Sequence, residues 1–205
     1  MLKKQSLNNI LSLLLLTYSL SIWSQDEEIY SKPSEKSFFG VQVGLIGLWV
    51  HHEARLVESI VLRSELGLDM VGFFRNDVFA ANPENSVGGP FFAPTIALEP
   101  RWYYSLQRRS KENKPTTKNS ASFISFETKY YPDLFLLTGA PEGTQFAKQL
   151  AICPRWGFKR TVANNFTYEL GIGYKIYHLL NDVDRNRVND GEGFINMHLK
   201  LGYTF

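Results

Sequence analysis

The sequence predicts an all-β protein, an eight-stranded antiparallel up-and-down transmembrane β-barrel. Three observations predict it: apolar and polar residues alternate along eight segments, the connections between these segments differ strongly in length, and the N-terminus has the features of an export sequence. Aromatic residues make up 14% of the 205 residues, a content that argues against a disordered chain.

The N-terminal segment has the three parts of a secretory signal peptide. Lys3 and Lys4 form a basic start, residues 10–16 form a short apolar run, and Ser24 is a small residue before the predicted cleavage point. A membrane anchor is the alternative, but serine and threonine interrupt its apolar stretch, which is short for ~30 Å of hydrocarbon. We therefore expect export followed by cleavage.

Cleavage divides the chain into a signal peptide over residues 1–24, a polar lead-in over 25–37 and one barrel domain over 38–205. Removing Lys3 and Lys4 from the 22 basic side chains leaves 20, which balance the 20 acidic ones. A neutral chain lacks the basic footprint of a nucleic-acid-binding protein, so we expect no nucleic-acid partner. The single cysteine also excludes an internal disulfide and a cysteine-based zinc cluster.

The strand prediction rests on a period of two. In the last segment, every odd position from Ile195 to Phe205 is apolar or aromatic, and the even positions from Asn196 to Thr204 are polar or glycine. Seven earlier segments alternate in the same way, the one over 122–131 most weakly. The predicted strands cover residues 39–45, 48–56, 60–70, 92–104, 122–131, 150–160, 166–176 and 194–205.

Two features complicate the barrel. The apolar parity changes between Leu45 and Leu48, so Gly47 marks either a tight turn, which gives eight strands, or a bulge, which gives seven. We favour eight, because an antiparallel sheet closes on itself only with an even count. Pro94, Pro100 and Pro154 fall inside predicted strands, where a closed barrel has no free edge for them.

The connections fall into two classes by length. Residues 75–90, 132–148 and 178–193 form long polar connections, and all three lie at the end opposite to the chain termini. The connections at the terminal end are shorter. The basic one over 107–120 is intermediate in length and is expected to be a solvated turn, with contact to anionic head groups as the alternative. Long outer loops and short periplasmic turns are typical of transmembrane barrels.

The C-terminal strand carries a resemblance to a known family. Phe205 is the final residue, and the predicted outward residues before it alternate in the pattern of Met197, Leu199, Leu201 and Tyr203. This pattern resembles the C-terminal assembly signal of bacterial outer-membrane β-barrels. Residues 38–205 as a whole resemble small eight-stranded barrels of the OmpA-transmembrane and OmpX type, without identifying a subfamily.

The resemblance implies a location and partners. It places the mature chain in the outer membrane of a Gram-negative cell envelope, surrounded by outer-membrane lipid. It also implies that the barrel-assembly machinery recognises the last strand during biogenesis. An extracellular partner of the loops and the oligomeric state stay unidentified.

If the apolar faces contact lipid, the polar faces line the barrel interior. An eight-stranded barrel is only wide enough to be filled by side chains, which argues against a general porin. Buried charges must then pair, so we expect a mutually neutralising salt-bridge core rather than a proton or ion pathway. The predicted interior residues are Glu53, Arg55, Arg63, Glu65, Asp69, Glu99, Arg101, Glu127, Lys129, Arg155, Lys159, Glu169, Lys175, His198 and Lys200.

The sequence predicts no catalytic, cofactor or metal site. A lipid-modifying enzyme would need a serine and a histidine that lipid can reach; His52 has outward parity, but its own strand offers no serine, and His198 points inward. The acidic segment 181–192 resembles a calcium loop only partly, since Arg187 stands where the turn glycine belongs. Cys153 has interior parity and is expected to pack.

These features favour a non-enzymatic protein with a structural or surface-interaction role through its three long outer loops. Two alternatives stay open. A secreted or periplasmic lipocalin-like barrel would show the same alternation with its apolar face inside, around a hydrophobic ligand. The other alternative is a lipid-modifying barrel enzyme of the outer membrane.

Overall fold

A computed structural model describes residues 34–71, 91–132, 134, 148–180, 191 and 193–205. These residues form one closed antiparallel barrel, in which each strand pairs with the next in sequence and the last pairs with the first. The predicted eight-stranded barrel is thereby confirmed. Its strands are β1 (Ser37–Gly44), β2 (Gly47–Val57), β3 (Ile60–Val71), β4 (Phe91–Trp102), β5 (Ser122–Tyr131), β6 (Gln149–Val162), β7 (Phe166–Leu179) and β8 (Gly193–Thr204).

The period of two along each strand separates two surfaces. Buried and exposed positions alternate along β1, β2 and β5 almost without interruption. Most charged strand residues occupy buried positions, together with a smaller number of aromatic and small side chains such as Phe38, Trp49 and Phe123, and the exposed positions are mostly apolar. The barrel therefore has a polar interior and an apolar outer face, the reverse of a water-soluble protein.

The ambiguity at Gly47 is resolved as a turn. Leu45 and Ile46 form a two-residue turn, and Gly44 pairs with Gly47 to close the hairpin. A Cβ atom at Gly47 would meet the Leu68 carbonyl and the ring of Trp49, so glycine allows that indole to pack inside the barrel. The only register shift in the β2–β3 pair lies between Arg55 and Val57, at the other end of β2.

The three strand prolines lie where one neighbouring ladder is interrupted. The β4–β5 pairing begins only at Ile96, beyond Pro94, and it skips the position of Pro100. The β6–β7 pairing likewise skips Pro154. Proline has no backbone N–H to donate, so each occupies a position where a break in the ladder leaves no bond to lose.

Several strand ends differ from the prediction. The strand predicted over 166–176 continues to Leu179, into residues expected to start a long loop, and the strand predicted over 150–160 extends from Gln149 to Val162. The strand predicted over 92–104 stops at Trp102. The predicted signal peptide, the lead-in up to residue 33 and most of the three long connections lie outside the described residues.

The β4–β5 connection differs most from expectation. It contains a short helix, α1 (Leu106–Lys111), and a 3-10 turn over Thr117–Asn119. Leu106 and Ala121 are buried against Val61, Tyr103 and Phe123, which belong to or adjoin the barrel wall. Residues 107–115 are exposed or half-buried, as expected of a solvated turn. The prediction was wrong for Thr116, Asn119 and Ser120, which are buried between the flanking apolar residues and the terminal end of the barrel.

The end of the lead-in is fixed to the same connection. The backbone N–H of Ser34 donates to Glu58 O at 2.7 Å, and that of Glu35 donates to the side-chain oxygen of Asn119 at 2.9 Å. The Lys118 ammonium donates to the backbone oxygen of Phe205 at 2.6 Å. The two ends of the barrel domain and the β4–β5 connection therefore meet at one end, called the terminal end below.

Candidate functional site

The fifteen residues predicted for the interior all lie on the inward face of their strands. Thirteen of them are buried. His198 is slightly exposed, with its side chain 8% accessible. Arg55 lies at the terminal rim, where its guanidinium donates to the backbone oxygen of Ser34 at 3.0 Å.

Glu53 organises the part of the interior nearest the terminal end. Its carboxylate accepts from Lys159 Nζ at 2.8 Å and from Arg63 Nη1 at 3.3 Å. The Tyr103 hydroxyl donates to it at 3.1 Å and the Asn119 amide at 3.0 Å. Two of these partners belong to the β4–β5 connection, so that connection completes the polar network as well as covering the end.

Arg101 is the centre of the network. Its two terminal nitrogens bind both carboxylate oxygens of Glu169, at 2.7 and 2.9 Å, and Nη2 also binds Glu99 at 2.7 Å. The His198 ring contacts Glu169 at 3.0 Å. Because Glu169 lies on β7 and Arg101 on β4, this pair spans the barrel from one wall to the opposite wall.

Arg155 and Arg63 extend the network on either side. Arg155 binds Glu127 at 3.1 Å and Glu99 at 3.3 Å. Arg63 binds Glu65 at 2.7 Å, and the same carboxylate accepts from Lys200 Nζ at 2.9 Å. Carboxylates shared between two cations link separate ion pairs into one connected structure.

Asp69 is the acceptor nearest the opposite end. It accepts from the Trp49 indole at 2.6 Å, from Lys129 Nζ at 3.1 Å and from the Tyr131 hydroxyl at 2.8 Å. Lys175 lies further from its carboxylate, with Nζ 3.7 Å from Glu127. Every predicted interior carboxylate thus has a cation within 4 Å, as burial of charge requires.

These contacts fill the lumen at several levels. Lys159 reaches Glu53 from β6 to β2, and Lys129 reaches Asp69 from β5 to β3. Such contacts join the charged groups of strands that are not neighbours in the sheet. Chemically, the arrangement neutralises charge and ties the walls together.

The outer face is apolar over most of the barrel. Its exposed side chains include Met197, 74% accessible, and Phe39, 57% accessible. Aromatic residues gather near the terminal end, where the Trp156 indole donates to the Tyr104 hydroxyl at 2.8 Å. Other exposed members of the face are Val41, Val43, Leu48, Val50, Leu66, Ile96, Leu98, Trp102, Ile124, Phe126, Leu170, Ile172, Tyr174, Ile195 and Leu201.

The residues of the predicted C-terminal assembly signal share this outer face. Met197, Leu201, Tyr203 and Phe205 are exposed, and Leu199 is half-buried. The Tyr203 ring packs edge-on against Phe205, with ring centroids 5.4 Å apart. The last strand therefore presents a continuous apolar and aromatic stripe.

The structure brings together one pair that sequence reasoning missed. On the outer face, the Ser37 hydroxyl and His52 Nε2 lie 2.6 Å apart, and the imidazole stacks on Phe39. Ser37 had been assigned to the lead-in, although the β1–β2 register places Phe39 beside His52. A hairpin register fixed by the Leu45–Ile46 turn would have revealed the pair.

His51 and the single cysteine both pack against neighbouring side chains of the interior. His51 is buried beside Phe38, with the rings perpendicular. Cys153 is buried, with its sulfur 3.9 Å from Arg155 Nη2. Among the described residues no group of three His, Cys, Asp or Glu side chains could hold a metal ion. The calcium-like segment 181–192 lies almost wholly outside the described residues.

Within the described part of the chain, no helix is long and apolar enough to cross a membrane. No protein-family model, curated protein or solved structure matches this chain. Function must therefore be inferred from the geometry of the barrel.

Proposed function

We propose that this chain is an integral outer-membrane β-barrel protein with a non-enzymatic role, structural or in surface contacts through its outer loops. One observation carries the proposal: the described barrel buries its charges and exposes its apolar side chains. A continuous apolar face of this extent is rare on a water-soluble monomer, whereas hydrocarbon is its natural solvent.

Strand length and closure support the same environment. A membrane-spanning β-strand needs about 9–11 tilted residues, and seven of the eight strands have 10–14. A bilayer core does not tolerate a free sheet edge, and the eight described strands close on themselves and leave none. The aromatic residues near the terminal end match the girdles that flank the apolar band of such barrels.

The lipocalin-like alternative needs an apolar interior around its ligand. The inward face of the described strands carries instead the ion pairs of Arg63, Arg101 and Arg155. The observed burial therefore favours the membrane barrel over the binding barrel.

A role for the outer loops follows from the topology. The strand ends that flank the three long segments all lie opposite the terminal end, on a rigid closed scaffold. Loops held in this way are the usual carriers of specificity.

The proposal is tested by electrophoresis of the protein from the outer-membrane fraction, boiled and unboiled in SDS. A membrane barrel resists SDS until heated, so we expect two different mobilities. A protein recovered in the soluble periplasmic fraction, with one mobility, would overturn the proposal.

A second candidate function, the lipid-modifying enzyme, is favoured by the Ser37–His52 hydrogen bond on the outer face. In such an enzyme His52 Nε2 would take the hydroxyl proton while Ser37 Oγ attacks an ester carbonyl. The alcohol would leave with that proton, and water would release the acid from the acyl-serine. The described residues supply no carboxylate to orient His52, which ranks this function second.

A fluorophosphonate probe distinguishes the two functions. An enzyme would be labelled at Ser37, and Ser37→Ala or His52→Ala would abolish the labelling. Ser64→Ala is the matched control, because Ser64 pairs with His52 from the other side, on β3. Absence of labelling on the folded protein would remove the enzyme as a candidate.

A further inference from the structure

The outer side of the terminal end carries an excess of positive charge. Apart from its buried side chains, the described residues of this end include eight basic side chains, among them the inward-facing Arg55 at the rim, and three acidic ones. Two of the acids are engaged: Glu35 lies 3.8 Å from Lys118, and Glu112 accepts from Lys114 at 2.6 Å, a bond that lowers the pKa of Glu112. The basic residues are Lys36, Arg55, Arg108, Arg109, Lys111, Lys114, Lys118 and Arg160.

Two of these arginines, called the pair below, lie on adjoining elements of the terminal end. Among the described residues, Arg160, at the end of β6, and Arg109, on α1, donate only to backbone oxygens, those of Lys159 at 2.8 Å and Pro115 at 3.1 Å. The Thr161 hydroxyl, next to Arg160, donates to the backbone oxygen of Thr117 at 2.9 Å, in the same connection that carries Arg109. Within the described residues neither guanidinium has an ion-pair partner, and Arg109 Nε is buried without a hydrogen bond.

Aromatic side chains surround the pair on the outer face. The Arg160 guanidinium lies 5.2 Å from the centroid of the Phe158 ring, which packs edge-on against Tyr168. This combination of arginine and aromatic residues lies at the level where the apolar band ends.

An apolar groove begins beside this pair. It has a volume of about 470 Å³ and crosses the outer face from the β6–β7 turn towards the β1–β2 turn. Tyr168 lines its edge and is the direct ladder partner of Arg160. Val43 and Leu201 line its central part. The groove crosses β7, β8, β1 and β2, a span of about 14 Å at the usual spacing between strands.

We propose that Arg109 and Arg160, together with this groove, bind one anionic phospholipid from the membrane leaflet at the terminal end. The lipid phosphate contacts the two guanidiniums, and an acyl chain lies in the groove past Tyr168. Arginine is well suited to phosphate, because its planar guanidinium offers paired donors to the phosphate oxygens. The inference rests on the proposed membrane location and specifies a ligand for it.

A phospholipid fits better than a protein partner for two reasons. Two half-buried guanidiniums without a described acid offer paired donors to a ligand that brings negative charge. The adjoining groove lies on the same apolar face as Met197 and Leu201, so its occupant must also be compatible with hydrocarbon. An anionic phospholipid supplies both properties in one molecule.

The test is native mass spectrometry of the full mature barrel, released from membranes that contain equal phosphatidylglycerol and phosphatidylcholine with identical acyl chains. We expect one retained phosphatidylglycerol. Arg109→Ala and Arg160→Ala should each lower its retention about tenfold, the effect of losing one charge-assisted hydrogen bond. Arg108→Ala is the matched control, a neighbouring exposed arginine outside the pair, and should retain the lipid.

Val43→Trp tests the groove separately. It should lower the retention of both lipids by filling the space of the acyl chain, while the preference for phosphatidylglycerol persists. Equal retention of the two lipids by the unaltered protein, retention unchanged in the double arginine variant, or a protein dimer without lipid would each overturn the inference. Boiled and unboiled mobility is measured for every variant: a normal shift without lipid selectivity refutes only this inference, whereas loss of the shift in the unaltered protein refutes the membrane barrel.

Discussion

Consecutive residues of β4 occupy opposite environments. Glu99 and Arg101 lie in the ion-paired interior, while Leu98 and Trp102 are half exposed on the outer face. In a water-soluble barrel the two sets would exchange places. The alternation of residues therefore predicts that a strand has two different faces, but not which of them lies inside. The surrounding solvent decides that, because the charged face must form its ion pairs within the protein when the outside is apolar.

The largest expected effect comes from breaking the interior. Arg101→Ala removes three short contacts to Glu169 and Glu99 and leaves two buried carboxylates under-compensated. We expect a loss of about 3–5 kcal/mol in the free energy of unfolding. Urea unfolding in lipid vesicles measures it, with Arg108→Ala, an exposed arginine, as a control expected to change stability by less than about 0.5 kcal/mol. A loss below the size of one ordinary hydrogen bond would mean that the network contributes little to stability.

The next effect comes from placing charge on the outer face. Leu98→Arg puts a cation on the apolar face well inside β4. In a bilayer this should cost about 2–4 kcal/mol near the midplane and about 0–1 kcal/mol near the interface. Val162→Arg, at the terminal end of β6, is therefore the matched control. If both variants unfold like the unaltered protein in lipid vesicles, the outer face does not contact hydrocarbon.

A smaller effect should come from the connection that closes the terminal end. Asn119 donates to Glu53 and accepts from the Glu35 backbone, so Asn119→Ala should cost about 1–3 kcal/mol. Asn113→Ala is the control, because both asparagines have positive φ angles, 54° and 57°, and share the same backbone strain. Equal losses in the two variants would assign the effect to the backbone and not to the contact with the network.

The fold was predictable because its main determinants are local. Alternation along each segment identified all eight strands and the parity of the interior residues, from Glu53 to Lys200. The change of parity near Gly47 left a turn and a bulge open, and only the even strand count of a closed antiparallel sheet favoured the turn that Leu45 and Ile46 form. The sequence did not predict how the strands accommodate Pro100 and Pro154. Each lies where the hydrogen bonds to the neighbouring strand are interrupted, and the position of that interruption depends on how two strands pair.

The sites that were missed depend on contacts between distant segments. Ser37 and His52 meet only through the hairpin register, and Ser37 had been placed in the lead-in. Asn119 and Glu53 are 66 positions apart in sequence. The high charge of the β4–β5 connection suggested solvation, but Leu106 anchors it to the barrel, and no periodicity marks so short an apolar contact.

The central claim is that the outer face contacts lipid and the inner face does not. The mature chain offers a direct test, because Trp156 points outward and is 48% accessible, whereas Trp49 points inward and is 3% accessible. Two variants are reconstituted in vesicles of brominated phospholipid. One retains only Trp156 and the other only Trp49, and in each the two other tryptophans, Trp102 included, are changed to Phe. The account predicts strong quenching of Trp156 fluorescence and much weaker quenching of Trp49. Equal quenching of the two, or stronger quenching of Trp49, would contradict it.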